Sequence, residues 1–197
     1  MVDTDKSLKT KPTNPDDTII LTLRNPLIAG LLAWLIPGLG HYYQGRYFKA
    51  CLFSICIIPT FVFGCYLGSG KEIGLARNVY CSWRPGDKRL FFIPQCCIGF
   101  AAIPAYLQAG RVGNGLAPFY HGIMAPPALF VEQREQGYPP SLDEIIAKSG
   151  SYFEIGTIFT VVAGLMNLLV IFDAIDGPLL FREEPGKKEE DESEHTA

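Results

Sequence analysis

His41 is the residue of this chain best suited by type to chemistry. It stands in the run Pro37-Gly38-Leu39-Gly40-His41-Tyr42-Tyr43-Gln44-Gly45-Arg46, and Lys49 follows closely. An imidazole moves protons near neutral pH, and Tyr43, Arg46 and Lys49 could hold an anionic group beside it. General acid–base catalysis needs a positioned partner, and the sequence around His41 offers neither carboxylate nor nucleophile. The run therefore reads first as a tight turn with interfacial anchors, and second as a contact for a lipid headgroup or ligand. A catalytic centre using His41 comes third. Asp173 is the other charged group of interest, because it sits near the end of a long apolar stretch. A carboxylate inside a membrane segment is expensive and is commonly functional. It needs a cation, and Arg24, Arg84, Lys88 and Arg89 are the expected candidates. Glu154, at the other end of that stretch, could meet Arg46 or Lys49.

Metal and redox chemistry find no support. Five of the six cysteines (Cys51, Cys56, Cys65, Cys96 and Cys97) fall in or beside apolar runs, where a thiol behaves as a small hydrophobe. No Cys-x-x-Cys pair stands with histidine at zinc spacing. No metal site and no cofactor is expected. The net charge of −3 comes from an acidic segment at residues 181–197, which reads as a solvated tail. No basic patch with interleaved aromatics suggests nucleic acid.

The residues above are carried by apolar segments. A bilayer-crossing helix needs about 20 mainly apolar residues, and four stretches come near that, at about 26–43, 50–67, 90–107 and 155–175. They lack the alternation of barrel strands, so the expected fold is an all-α integral membrane bundle of four transmembrane helices. Residues 1–24 read as a polar, disordered tail without a cleavable apolar leader. Residues 25–180 read as the membrane domain. Pro59, Pro94 and Pro104 are expected to kink their helices. The long connection 108–154 is rich in Gly and Pro, with a short helix expected near 141–149 after the capping box that Ser141 and Glu144 form. Trp83-Arg84-Pro85-Gly86-Asp87 reads as a turn.

The first stretch is the short one, and a re-entrant loop is its alternative. Charge separates the two readings. Four spans put twelve basic residues on one side and five on the other, whereas a first segment that turns back leaves nine against eight. The positive-inside rule then favours four spans, both termini cytoplasmic, in a bacterial inner membrane. On the fourth stretch Gly156, Thr160, Gly164 and Asn167 share one helical face. Small residues let helices approach and asparagine bonds across the contact, so this face is expected to pack against another helix or a second chain.

The run Asn25 to Arg46 resembles an uncharacterised multi-pass membrane family of planctomycete bacteria. Tyr80 to Asp87, Tyr152 to Thr157, Ala163 to Asn167 and Asp173-Ala174 extend that likeness over about residues 25–178. The junction is also loosely similar to the TM2 domain, which implies a two-helix hairpin over about residues 27–67. Neither likeness carries a catalytic residue with it. The expected function is a structural or interaction component of the membrane, with the bilayer and another copy or another membrane protein as partners. A small transporter or channel component using Asp173 and Asn167 is the first alternative. A lipid-headgroup-binding or lipid-acting protein using His41 is the second.

Overall fold

The computed structural model describes residues 25–85, 87–130 and 138–176; the expected tails at 1–24 and 181–197 lie outside them. The chain is mostly helical. In order come α1 (Pro26–Leu35), α2 (Leu39–Tyr43), α3 (Tyr47–Leu67), a two-strand ribbon of β1 (Trp83–Arg84) and β2 (Asp87–Lys88), α4 (Phe92–Gln95), a 3-10 stretch (Cys96–Ala102) and α5 (Ile103–Gly113). A 3-10 turn (Tyr120–Gly122), α6 (Leu142–Ser149) and α7 (Ser151–Asp176) complete it. Three helical stretches are long and apolar enough to cross a bilayer: Tyr47–Leu67, Phe92–Gly113 and Ser151–Asp176.

α7 is the axis of the molecule. α3 lies antiparallel along it, so that Gly64 meets Gly156 and Thr160 at one end while Lys49 meets Asp173 at the other. The approach is close because both partners are glycine. A Cβ on Gly156 would sit 2.6 Å from the Gly64 carbonyl oxygen, and one on Gly64 would sit 2.8 Å from that of Gly156.

Around this pair the chain makes two hairpins that enter from opposite ends. The first begins at the Asp173 end. α1 runs inward along α7, with Gly30 beside Ile175 and the Ala33 carbonyl accepting from Asn167. Ile36 leaves the helical conformation, and Gly38 takes φ +88°, a value that suits glycine. α2 then turns back, with Gly40 packed on the Ala29 carbonyl. Ser54 donates to the Pro37 carbonyl at 2.7 Å and pins the tip to α3, roughly 10 Å of helical rise beyond the start of that helix.

Two short helices, α1 and α2, occupy the expected first span at 26–43. Ten residues of α-helix rise only about 15 Å, half of a ~30 Å hydrocarbon core. The two-helix hairpin expected over residues 27–67 becomes three helices, the first two folded on one another.

The second hairpin starts at the other end. Gln95 donates to Thr160 Oγ1 at 2.7 Å and to the Asn78 carbonyl at 3.2 Å. Pro94 passes over Gly164, whose missing side chain leaves room for that carbonyl. Gly99 breaks the helical path with φ +71° and ψ −119°, and any Cβ there would collide with the Trp34 carbonyl. α5 then returns: Gln108 donates to the Phe119 and Ile123 carbonyls at 2.8 and 3.1 Å. The next residue, Met124, donates to Leu75 in the loop after α3. Within the expected span at 90–107 the helical path is thus kinked at Gly99. Pro94 lies within short α4, and Pro104 sits in the first turn of α5, where proline is tolerated.

The hairpin tips meet. Trp34 Nε1 donates to the Cys96 carbonyl at 3.2 Å, and Asn167 donates to Ala33 of one hairpin at 3.2 Å and Cys97 of the other at 2.8 Å. Asn167 is fully buried.

At the Gly68 end the loops form a cap stapled by arginines. Arg77 is buried and donates to the carbonyls of Ile73, His121 and Gly122. Burial lowers its pKa to about 10, so it stays charged at neutral pH. Arg84 reaches Asp87 at 3.0 Å and the Pro127 carbonyl at 2.7 Å. The capping box forms as expected, with Ser141 Oγ accepting from the Glu144 amide, and Gly150 ends α6 at φ +55°.

Replacing Asn167 by alanine removes two hydrogen bonds at depth and is expected to cost about 1–3 kcal/mol. Gly164→Leu drives a side chain into Pro94 and should cost more, whereas Gly110→Ala, which enters open space, should cost nothing. Thermal unfolding of the detergent-solubilised protein checks the order.

Candidate functional site

The turn after α2 and the last turn of α7 build one charged cluster. α7 ends with carbonyl groups that lack helical partners. Gln44 Nε2 donates to the Ala174 carbonyl at 2.6 Å, and an Arg46 guanidinium nitrogen donates to that of Asp173 at 3.2 Å. The α2–α3 junction therefore caps α7. The positive φ of Gly45, +79°, turns the chain so that Gln44 and Arg46 point the same way.

Asp173 is the centre of the cluster. Its carboxylate lies 2.6 Å from His41 Nε2, 3.0 Å from Arg46 and 3.1 Å from Lys49 Nζ. An anion at a helix C-terminus is disfavoured by the helix dipole, and here two permanent cations offset that cost. His41 is fully buried, its ring edge-on to Phe53 at 5.0 Å, and Nδ1 has no hydrogen-bond partner among the described residues. Asp173 is one-third exposed and Lys49 43% exposed, so the cluster opens on the Lys49 side.

Three of the four residues singled out at the junction (His41, Arg46 and Lys49) thus converge. Tyr43 instead packs with the cluster of Ala29, Ala33 and Ala174. Tyr42 and Tyr47 stack edge to face at 5.1 Å and stay exposed, as headgroup-level rings do.

Among the described residues the partners of Asp173 differ from those expected, and Arg24 lies outside them. Arg84 and Arg89 lie in the cap at the far end of α7, and Arg46 and Lys49 take their place. Glu154 sits near that far end and meets neither of the two. The expectation placed Arg46 across the bilayer because it let the first segment span. Gln44 and Ser54 were not singled out from the sequence, since neither lies in a motif and their partners are backbone groups.

Gly156, Thr160, Gly164 and Asn167 do share one face, and it is buried against α3, α4 and α1. That face is filled within the chain and is not offered to a second one.

A His–Asp pair at 2.6 Å can hold or pass a proton, but among the described residues no hydroxyl or thiol joins it as a nucleophile. No group of three or more His, Cys, Asp or Glu side chains there could hold a metal ion.

The comparison with protein families decides the relationship, with a match over residues 28–188. The chain belongs to DUF6677, a family of unknown function. The DUF6677 match takes in nearly all of α1, every later element and all four residues of the cluster. No curated protein and no solved structure matches the chain.

Asp173→Asn leaves Arg46 and Lys49 without their anion and is expected to cost about 1–3 kcal/mol. Lys49→Gln removes a more exposed cation and should cost under about 1 kcal/mol. Unfolding temperatures of the two variants check this, and equal losses would contradict the central place given to Asp173.

Proposed function

We propose that this DUF6677 protein is a bilayer-embedded structural component that holds an anionic lipid headgroup at the His41–Arg46–Lys49–Asp173 cluster. The observation that carries this reading is an imbalance of charge: two permanent cations face one carboxylate, and the more exposed cation is Lys49. A phosphate oxygen can share a guanidinium with a carboxylate and take an ammonium as a point charge. The flanking Tyr42, Tyr47 and Phe48 are exposed, as expected of a surface that meets lipid.

In this reading α3 and α7 cross the bilayer, and the two hairpins enter it from opposite faces without crossing. Irregular backbone at depth is tolerated where it is buried in protein, and Asn167, Ser54 and Trp34 supply the donors that the tips need. Both ends of the described chain then lie on the Arg46 side. We place that side in the cytoplasm of a bacterial inner membrane, because Arg46 and Lys49 sit at the start of α3. Even so, the overall basic count is nearly balanced in this threading.

A small transporter component is a second reading. Opposed broken helices that meet at depth are a transporter layout. Asn167 would then be the mid-depth polar group, and its two backbone bonds would have to open.

The headgroup reading is tested by native mass spectrometry of the delipidated full chain. Phosphatidylglycerol should be retained over phosphatidylcholine, and Lys49→Gln combined with Arg46→Gln should lower that retention about tenfold. Equal retention of the two lipids by the unmodified chain would contradict it. Lys49→Gln alone, which leaves the hairpin lock intact, should give a smaller loss in the same direction.

A further inference from the structure

At the end of α7 opposite the Asp173 cluster lies a half-open pocket of about 330 Å³, within the size range of small-ligand sites. Its walls are almost entirely apolar. Phe91, Phe153, Ile146 of α6, and Ile158 and Val161 of α7 line it. Two charged groups line it, Arg89 and Glu154. The Arg89 guanidinium lies 4.8 Å from the Tyr80 ring centroid, 5.4 Å from that of Phe91 and 5.3 Å from that of Phe153. It donates to the Asn78 carbonyl and to Thr157 Oγ1. Its Nε is buried with no hydrogen-bond partner, and no carboxylate among the described residues lies within ion-pair distance. Burial pulls its pKa below the ordinary arginine value, while Tyr80 and the Asp87 carboxylate act the other way.

We infer that this pocket binds a single-chain acidic amphiphile, with the carboxylate of a free fatty acid on Arg89 and the acyl chain along Ile158 and Val161. Charge complementarity selects the head: Arg89 lines the pocket without an ion-pair partner among the described residues, and a guanidinium takes a carboxylate in a charge-assisted hydrogen bond. Volume selects one chain over two, since 330 Å³ holds roughly eleven groups of water or methylene size at about 30 Å³ each, so the first part of one acyl chain fills the pocket and the rest of an eighteen-carbon chain leaves through its open side. The walls select the direction. Glu154, Thr157, Ile158 and Val161 follow one face of α7, and this face leads from the cap toward the middle of the helix. Exposed Glu154 also lines the pocket, where it disfavours anions that lack a chain to bury. The site shares no residue with the headgroup cluster, so the two proposals stand or fall separately.

The test uses the full chain in a neutral detergent, with oleate, oleyl alcohol and dioleoyl phosphatidic acid as probes, read by native mass spectrometry and competition with a fluorescent fatty acid. Oleate should bind at one copy per chain and at least tenfold more tightly than the alcohol, which has the same chain without the charge. Ile146→Trp, which fills the pocket from its rim without touching Arg89, should weaken oleate at least tenfold. Arg89→Gln should do the same and should abolish the preference of acid over alcohol. If Arg89→Gln does not fold, Ile146→Trp and the acid-to-alcohol ratio still decide. Oleate binding unchanged by Ile146→Trp, or equal binding of acid and alcohol, would overturn the proposal. Phosphatidic acid binding as tightly as oleate, and equally blocked by Ile146→Trp, would overturn the single-chain assignment.

Discussion

The side-chain amide of Asn167 is the constraint on which the fold depends. Its two protons go to carbonyl groups of two different hairpins, Ala33 and Cys97. Each carbonyl sits where a helix stops or bends inside an apolar environment, and there an unpaired backbone group is costly. Trp34 on Cys96 and Ser54 on Pro37 complete the set. The hairpin tips are held in place by α7, α3 and each other, not by their own regular hydrogen bonding. The glycines then follow as a requirement. Gly40, Gly99 and Gly164 each face a backbone carbonyl that a Cβ would strike, so the donors reach the acceptors only because these side chains are absent.

The two ends of α7 are finished in different ways. At one end a single carboxylate gathers a histidine, an arginine and a lysine, and the neighbouring glutamine caps the helix. At the other end three arginines reach carbonyl and hydroxyl groups of separate loop segments. Arginine suits the second task, because its planar fork presents several fixed donors. One arrangement locks a short hairpin to a long helix. The other ties together loops with little regular structure, and it leaves Arg89 charged within apolar walls.

The long helices were legible in the sequence. Residues 50–67 and 155–175 lie within α3 and α7, because an unbroken apolar run of that length has few other solutions. The start and stop of α6 were legible too, through Ser141, Glu144 and Gly150. The path of the shorter runs was not. Hydropathy measures how apolar a segment is but not whether it crosses or turns back, and the Gly99 turn lies in an apolar run with no polar flank to mark it. The warning signs were the ten-residue length of the first apolar core, Leu27 to Ile36, and the glycines at 38 and 40. The Asp173 cluster was half legible. His41, Arg46, Lys49 and Asp173 were each notable, but residues 132 positions apart are joined only by the fold. A charge count that favoured four spans placed Arg46 and Asp173 on opposite faces.

The threading is tested most directly by labelling with a membrane-impermeant thiol reagent in oriented vesicles. The native cysteines are replaced, and single cysteines are placed at Phe48, Lys71 and Asn114. Two crossing helices with two hairpins that turn back put Lys71 and Asn114 on one face and Phe48 on the other. If the cysteine at position 114 labels together with that at 48 and apart from that at 71, then residues 92–113 cross the bilayer, and the opposed-hairpin account is wrong.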